Sequence, residues 1–169
     1  MTEDDTQTSH AAPHSGPNDR DAKPTLRAAG LVLAERGLLL VRQRRLDRTY
    51  WLLPGGGVRF GETIADALRR ELLEELRLEI VPGRPLALAE AISDDMVAYR
   101  KHVVHVIVEA RLVDAAAEPR LGGDEAVLEA RFVARDELGA LTLRPPVASF
   151  LDRCFAAPPR HMEYLGVVW

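Results

Sequence analysis

The stretch from Gly55 to Leu76, GGGVRFGETIADALRRELLEEL, constrains the fold of this chain more than any other. Three consecutive glycines permit a tight turn, and the residues after Thr63 repeat apolar side chains at helical spacing. Thr63, followed three residues later by Asp66, resembles a capping box at a helix start. The sequence therefore predicts a helix from Thr63 to Leu76 that packs against a core. Its apolar stripe consists of Ala65, Leu68, Leu72 and Leu76.

Strands are predicted on both sides of this helix. Residues 26–33 and 38–42 read as two strands joined at Glu35-Arg36-Gly37, a hairpin signal. Residues 42–48 read as a basic connector, whereas residues 100–113 are rich in Val and Ile and give the strongest strand signal. A second helix is predicted from about Val147 to Phe155, after two prolines. Strands around a central helix, with another helix near the end, predict an α/β sandwich.

Composition and charge exclude several classes of function. The net charge of -4 gives no electrostatic basis for binding a nucleic acid polymer, and no apolar run is long enough to span a membrane. A single cysteine, Cys154, excludes an internal disulfide and is consistent with a reducing compartment. The first residues lack the pattern of a secretory signal, so a cytoplasmic location is expected. Residues 1–24 contain few large apolar side chains and are predicted to form a disordered tail.

The predicted helix carries an unusual concentration of acidic side chains. Glu71, Glu74 and Glu75 lie on one helical face that borders the leucine stripe. Like charges at this spacing repel one another, and a bound cation would reverse that effect. Oxygen ligands suit Mg²⁺ or Mn²⁺. The alternative is a solvated helix face, but it does not explain the glycine turn or the isolated Glu62.

Together these residues resemble the signature of the Nudix hydrolase superfamily. That signature is a Gly, five residues, Glu, seven residues, Arg-Glu, an aliphatic residue, any residue, Glu-Glu, any residue, Gly and an aliphatic residue. Here it begins at Gly56 and Glu62 and continues from Arg70 as RELLEELRL. The departure is Arg77, where the family pattern has Gly, and this departure concerns the geometry of the helix end more than the chemistry.

The resemblance implies an α/β/α sandwich with a mixed sheet over residues 25–169. It also implies hydrolysis of a nucleoside diphosphate derivative, with Mg²⁺ or Mn²⁺ and a metal-activated water. By the same resemblance Arg70 and Glu62 are supporting residues, and relatives are often dimers, so a homodimer is possible. The metal ligands implied by the resemblance are the Gly55 carbonyl, Glu71, Glu74 and Glu75.

Some roles are not specified by the motif. Family members often place the catalytic base on a loop outside it, and the candidates here are Glu125 and Glu129 in GGDEAVLEARF. His102 and His105 lie three residues apart on one strand and so face opposite sides of the sheet. The candidate substrate-binding residues, whose guanidinium groups match phosphate geometry, are Arg42, Arg44, Arg45 and Arg48.

Two other functions remain open at this level. A Nudix-fold module could bind or regulate through a nucleotide without turnover, although such a module need not retain the three glutamates. An isomerase acting on an isoprenoid diphosphate would need a Cys and Glu pair in the pocket, and Cys154 is poorly placed for it. ADP-ribose, nucleotide sugars, dinucleoside polyphosphates and oxidised nucleoside triphosphates are all compatible with the sequence.

Overall fold

The computed structural model of the chain describes residues 23–45, 47–93 and 101–168. Most of the predicted tail, residues 1–22, lies outside this part of the chain. The strands are β1 (Thr25–Ala34), β2 (Gly37–Arg45), β3 (Arg48–Leu52), β4 (Gly55–Gly57), β5 (Ile80–Ser93), β6 (Lys101–Leu112), β7 (Val127–Val133) and β8 (Glu163–Val167). The helices are α1 (Ile64–Leu76), a 3-10 helix (Arg135–Ala140) and α2 (Ala148–Ala156).

The strands form one mixed sheet. Its order is β3-β2-β1-β6-β5-β8, with β4 paired to β1 and β7 paired to β2. The pairs β1–β6 and β5–β8 are parallel, and the other pairs are antiparallel. The antiparallel pairing of β4 with β1 holds Gly56 next to the Glu71 side chain of α1.

The two α-helices cover opposite faces of this sheet. Side chains alternate along β2, so that Leu39 and Val41 pack on the α1 side while Leu38 and Leu40 pack on the α2 side. Full burial of a Leu or Phe side chain contributes about 1.5–3 kcal/mol, so both helices are anchored mainly by their apolar faces. The predicted α/β/α sandwich is confirmed. The buried helical side chains are Ala67, Leu68, Leu72 and Leu76 in α1, and Phe150, Leu151 and Cys154 in α2.

The structure corrects two sequence-based predictions and adds a strand where the sequence allowed no prediction. The basic connector at residues 42–48 is wrong, because β2 continues to Arg45 and β3 begins at Arg48, which makes this segment the end of a hairpin. Ala67 rather than Ala65 completes the buried stripe of α1. The last residues, which gave no clear signal, contain β8. In the part of the chain that the structure describes, no helix is long and apolar enough to cross a membrane.

Candidate active site

Both ends of α1 are capped by hydrogen bonds. At the start, the Thr63 hydroxyl accepts a hydrogen bond from the Asp66 backbone N–H at 3.1 Å and donates one to the Asp66 carboxylate at 2.6 Å. At the end, Arg77 adopts a left-handed conformation with φ of 57°, and its N–H donates to the Leu73 carbonyl at 3.1 Å. A side chain in this conformation costs about 1 kcal/mol relative to glycine. Arg77 thus ends the helix in the conformation that glycine favours.

Arg70 holds the loop before α1 against the acidic face of the helix. Its Nε and Nη2 donate to the two carboxylate oxygens of Glu62, at 2.8 and 3.0 Å. Its Nη1 donates to Glu71 at 2.6 Å and to Glu74 at 3.3 Å. The hydrogen bond from Arg70, aided by one from the Arg59 backbone N–H, lowers the pKa of Glu62 to about 2. Arg70 therefore contacts Glu62 and Glu71 more closely than Glu74, the partner expected from helical spacing.

The carboxylate of Glu71 lies directly against the backbone of β4. A Cβ atom added to Gly56 would overlap all three atoms of this carboxylate group. Gly56 is paired with Ala28 of β1, which holds the strand in place. Room for the Glu71 carboxylate therefore depends on the missing side chain at position 56.

Glu75 is the acidic residue of α1 whose charge is least compensated. Its pKa is raised to about 7, mainly by burial and also by the neighbouring charges of Glu71, Asp124 and Glu74, against an opposing effect of Arg27. Among the residues described, none donates a hydrogen bond to the Glu75 carboxylate. An ionised Glu75 at neutral pH is therefore unfavourable unless a cation comes close to it.

A loop between β6 and β7 packs against the C-terminal end of α1. The Gly122 N–H donates to the Glu75 carbonyl at 2.7 Å, and the Arg120 N–H donates to the Leu76 carbonyl at 2.8 Å. A Cβ atom on Gly122 would overlap the Glu74 carbonyl oxygen, so this close approach needs glycine. The loop brings Asp124 close enough to Glu75 to raise its pKa. The sequence reasoning missed Asp124, although it stands directly before the named Glu125.

The two candidates for the catalytic base lie in different environments. Glu125 is exposed in the turn before β7, next to Asp124. Arg42 is two residues after Leu40 on β2, so its side chain lies on the α2 side of the sheet. Glu129 pairs with Arg42 and therefore lies on the α2 side as well, away from α1. Glu129 also lies 3.3 Å from Arg42 and 3.4 Å from Arg131. The structure thus brings the Glu125 loop, and not Glu129, to the acidic face of α1.

The four candidate substrate-binding arginines also separate into two groups. The Arg42 guanidinium is paired with Glu129 and lies 5.9 Å from the centre of the Trp51 ring. The other three side chains are exposed at the far end of the β2–β3 hairpin. They are Arg44, Arg45 and Arg48.

A narrow cleft on the α2 side of the sheet contains His105 together with two arginines that the sequence analysis did not single out. Its polar lining consists of Arg27, His105 and Arg144. Burial, and then the charge of Arg27, lowers the pKa of His105 to about 4, so its imidazole is neutral at neutral pH. His102 instead lies 2.8 Å from the Glu90 carboxylate. The sequence alone does not predict this cleft, because the residues that line it come from distant parts of the chain and meet only in the folded protein.

Cys154 lies in the core between α2 and the sheet. Burial raises the pKa of its thiol to about 11, so the thiol is protonated at neutral pH and a poor nucleophile. This environment agrees with a packing role and does not favour the isomerase alternative.

The acidic face of α1 fits a divalent metal in its donor chemistry. Within residues 23–45, 47–93 and 101–168, no three His, Cys, Asp or Glu side chains form a preassembled metal site. The Arg70 guanidinium instead supplies the positive charge between Glu71 and Glu74. The donors on this face are all carboxylate oxygens, which hard cations prefer, and burial makes the ionised form of Glu75 unfavourable without a nearby cation. The residues present thus suit Mg²⁺ or Mn²⁺. On binding such an ion, Glu71 and Glu74 would replace their contacts with Arg70 by contacts with the metal.

Comparison with known proteins agrees with this geometry. The chain is similar to the phosphatase NudJ of Escherichia coli K12, with 26% identity over 146 residues, 85% of this chain and 92% of NudJ. Its fold matches a NUDIX hydrolase from Nitrosomonas europaea with a TM-score of 0.66 and 21% identity, over 80% of this chain and 90% of that one. It also matches an ADP-ribose pyrophosphatase from Streptococcus suis with a TM-score of 0.62 and 22% identity, over 84% and 99% of the two chains.

The comparison with protein families covers most of the chain. The model of the NUDIX domain matches residues 23–154, which include β1 to β7, α1 and most of α2. Nudix hydrolases generally use a divalent metal and act on small molecules derived from nucleotides. The match, the mixed sheet and the glycine-to-helix motif together show that this chain belongs to the Nudix hydrolase family.

Proposed function

We propose that this protein is a Mg²⁺- or Mn²⁺-dependent hydrolase that cleaves the diphosphate linkage of a nucleoside diphosphate derivative. The observation that carries the proposal is the environment of Glu75, which lies near the charges of Glu71, Asp124 and Glu74. Burial and these charges raise the pKa of Glu75 to about 7. A purely structural helix face gains nothing from such an arrangement, because it costs stability whenever the group is ionised. A site that binds a cation gains affinity from it.

Each residue of α1 has a distinct part in this proposal. Glu71, Glu74 and Glu75, with the Gly55 carbonyl, would hold the metal ion, which would activate water and neutralise phosphate charge. Arg70 and Glu62 position these acids, because their paired hydrogen bonds connect the β4–α1 loop to the helix. Gly56 leaves space for Glu71 at the backbone of β4.

The catalytic base belongs to the loop before β7 in this proposal. Asp124 and Glu125 are its two candidates, because this loop packs on the end of α1 through Gly122. A carboxylate on this loop would accept a proton from the water molecule that attacks the bound phosphate. Glu129 is disfavoured, because its carboxylate pairs with Arg42 on the other face of the sheet.

The substrate class, nucleoside diphosphate derivatives, is inferred from membership of the family. Two proteins of similar structure are named for activity on substrates of this class. One is the ADP-ribose pyrophosphatase from Streptococcus suis, and another is a UDP-X diphosphatase that matches with a TM-score of 0.55 and 21% identity. We extend this class of substrate, and not a particular member, to the present protein.

A panel of substrates tests the proposal. ADP-ribose, nucleotide sugars, dinucleoside polyphosphates and oxidised nucleoside triphosphates are incubated with the protein in Mg²⁺, in Mn²⁺ and in EDTA, and release of mononucleotide or phosphate is measured. We expect turnover of at least one nucleoside diphosphate derivative, loss of that turnover in EDTA and its recovery when Mg²⁺ is added. Binding of a panel member without any turnover would favour the nucleotide-binding module instead.

A further inference from the structure

The tip of the β2–β3 hairpin brings two arginines directly opposite each other. Arg45, the last residue of β2, pairs with Arg48, the first residue of β3. Directly opposed residues of an antiparallel pair have Cβ atoms about 4.5–5.5 Å apart, and like charges at this spacing repel each other. Two cations are therefore held together at a position where their repulsion disfavours the strand pair.

Both of these arginines lack a compensating acid. In the part of the chain that the structure describes, neither guanidinium group makes a hydrogen bond or an ion pair, and both residues are exposed. Arg42, three residues before Arg45 on the same strand, is instead balanced by Glu129 at 3.3 Å. A guanidinium group has five N–H donors. The donors of Arg45 and Arg48 are thus available to an anion from solution.

Arg45 and Arg48 lie on the side of the sheet that carries α1. Val41 packs on that side, and side chains alternate along β2, so Arg45 lies on the same side four residues later. Tyr50 leads to the same conclusion for β3, because it packs against the α1-side core two residues after Arg48. Arg44 lies next to Arg45 on β2 and therefore faces the α2 side. Two of the three exposed arginines at the tip thus face the same side as the acids of α1.

The hairpin tip is connected to the acidic face of α1 by the loop before β7. The Arg44 N–H donates to the Ala126 carbonyl oxygen at 2.8 Å, and Asp124, two residues before Ala126, lies close enough to Glu75 to raise its pKa. Two residues span at most about 7 Å and paired strands are about 5 Å apart, so the backbone of Arg44 is within about 12 Å of that of Asp124. One small substrate can therefore span the distance between a phosphate on α1 and a phosphate at the tip.

We propose that Arg45 and Arg48 bind a second phosphate group of the substrate, one that lies beyond the linkage that is cleaved. This inference rests on the proposed function, since it defines which nucleoside diphosphate derivatives the same enzyme prefers. A phosphate accepts paired hydrogen bonds from guanidinium groups, and its negative charge offsets the repulsion between the two arginines. The preferred substrates are therefore those whose attached group carries a phosphate of its own, rather than those with an uncharged sugar.

Tripolyphosphate is a suitable probe of this site, because it offers only phosphate groups and its binding does not depend on turnover. Its binding to wild-type protein, Arg45→Gln, Arg48→Gln and Arg44→Gln is measured by calorimetry in EDTA at low ionic strength. We expect Arg45→Gln and Arg48→Gln to bind about three- to tenfold more weakly than wild type, the size of one charged hydrogen bond at an exposed site. This difference should shrink when salt is added, because exposed charges are screened.

Arg44→Gln is the matched control. It removes the same charge from the same strand, but from the opposite face of the sheet, so it should bind tripolyphosphate as wild type does. An equal loss of binding in Arg44→Gln would show that only net charge matters, and this would overturn the inference. Equal binding by wild type, Arg45→Gln and Arg48→Gln would also overturn it, and would leave the two arginines as charged residues that protect the edge of a sheet.

A second measurement covers the case in which a variant does not fold. Arginine Nε–H signals of wild-type protein are followed by NMR during the tripolyphosphate titration. The signals of Arg45 and Arg48 are expected to shift, while that of Arg44 is not. Unshifted signals of Arg45 and Arg48, or no binding of tripolyphosphate by wild type, would refute the proposed site.

A matched pair of compounds separates this inference from the proposed function. ADP-ribose and its 2′-phosphate differ by one phosphate group. Their affinities for wild type and Arg48→Gln are compared in Mg²⁺, as KM values or, where they are not cleaved, as inhibition of a panel member that is. We expect the phosphorylated compound to bind more tightly to wild type, and this advantage to fall about three- to tenfold in Arg48→Gln.

The outcomes distinguish the two proposals. The same ratio of affinities in wild type and Arg48→Gln refutes the inference and leaves the function intact, even where tripolyphosphate binds, because the site then takes a free anion and not the substrate. Tripolyphosphate binding that depends on Arg45 and Arg48, in a protein that hydrolyses nothing, refutes the function and leaves the phosphate site at the hairpin tip intact.

Discussion

Replacement of Glu75 by Gln tests the electrostatics of the α1 acids most directly, because it keeps the size of the side chain and removes its charge. Glu75 has a pKa of about 7 in the folded protein, above the usual 4.5. Between these values the folded state keeps a proton that the unfolded state releases. The wild-type protein without metal should therefore lose stability as the pH rises through this range, and Glu75→Gln should not show this loss.

The size of the effect follows from the same pKa. A rise from 4.5 to about 7 corresponds at most to roughly 3 kcal/mol at pH values above 7, at 1.36 kcal/mol per pH unit. Glu75 is only partly buried, so solvent reduces the expected gain in Glu75→Gln to about 1–2 kcal/mol. Metal should instead stabilise the wild-type protein relative to Glu75→Gln. A ligand at 100 times its Kd adds about 2.7 kcal/mol to the free energy of unfolding of the protein that binds it.

Urea unfolding measures both effects. Wild type, Glu75→Gln and the control Glu79→Gln are compared in EDTA near pH 5 and pH 8, and again at pH 8 with Mg²⁺. Glu79 is exposed just beyond α1, so its replacement should change the free energy of unfolding by less than about 0.5 kcal/mol. We expect Glu75→Gln to be more stable than wild type only in EDTA at the higher pH. We also expect Mg²⁺ to stabilise wild type and not Glu75→Gln. In a separate turnover assay, Glu75→Gln should lose most of kcat. Identical stability to wild type in all three conditions would refute the reasoning.

Three further predictions concern the surroundings of the site. Gly56→Ala should displace the Glu71 carboxylate and lower kcat about 100-fold with little loss of stability, whereas Gly57→Ala, where a Cβ meets nothing within 4 Å, should have near-normal kinetics in the same assay. Gly122→Ala should destabilise the protein by about 1–3 kcal/mol in urea unfolding, because its Cβ overlaps the Glu74 carbonyl, and an unchanged midpoint would contradict the observed packing. Deletion of residues 1–24 should leave Tm and kcat nearly unchanged, and a large fall in either would show that this segment is structural.

Local patterns in the sequence were sufficient to predict helix α1 and the acidic residues on one of its faces. A capping residue at Thr63 and a leucine every turn specify a helix with only short-range interactions, and the 3.6-residue period fixes which face carries Glu71 and Glu75. The strand signals near Gly37 and after Arg100 had the same local origin. Together with the glycine-to-helix motif, they were enough to identify the family and the α/β/α architecture.

The tertiary structure decided what the acids of α1 meet, because those contacts join residues far apart in the chain. Packing of the Gly122 loop brings Asp124 to Glu75, and pairing of β7 with β2 turns Glu129 to the other face of the sheet. The cleft of Arg27 and His105 likewise exists only because β1 and β6 are parallel neighbours. Periodicity fixes which side chains share a face of one element, but the pairing of distant strands and the packing of loops decide which charges come close together and become buried.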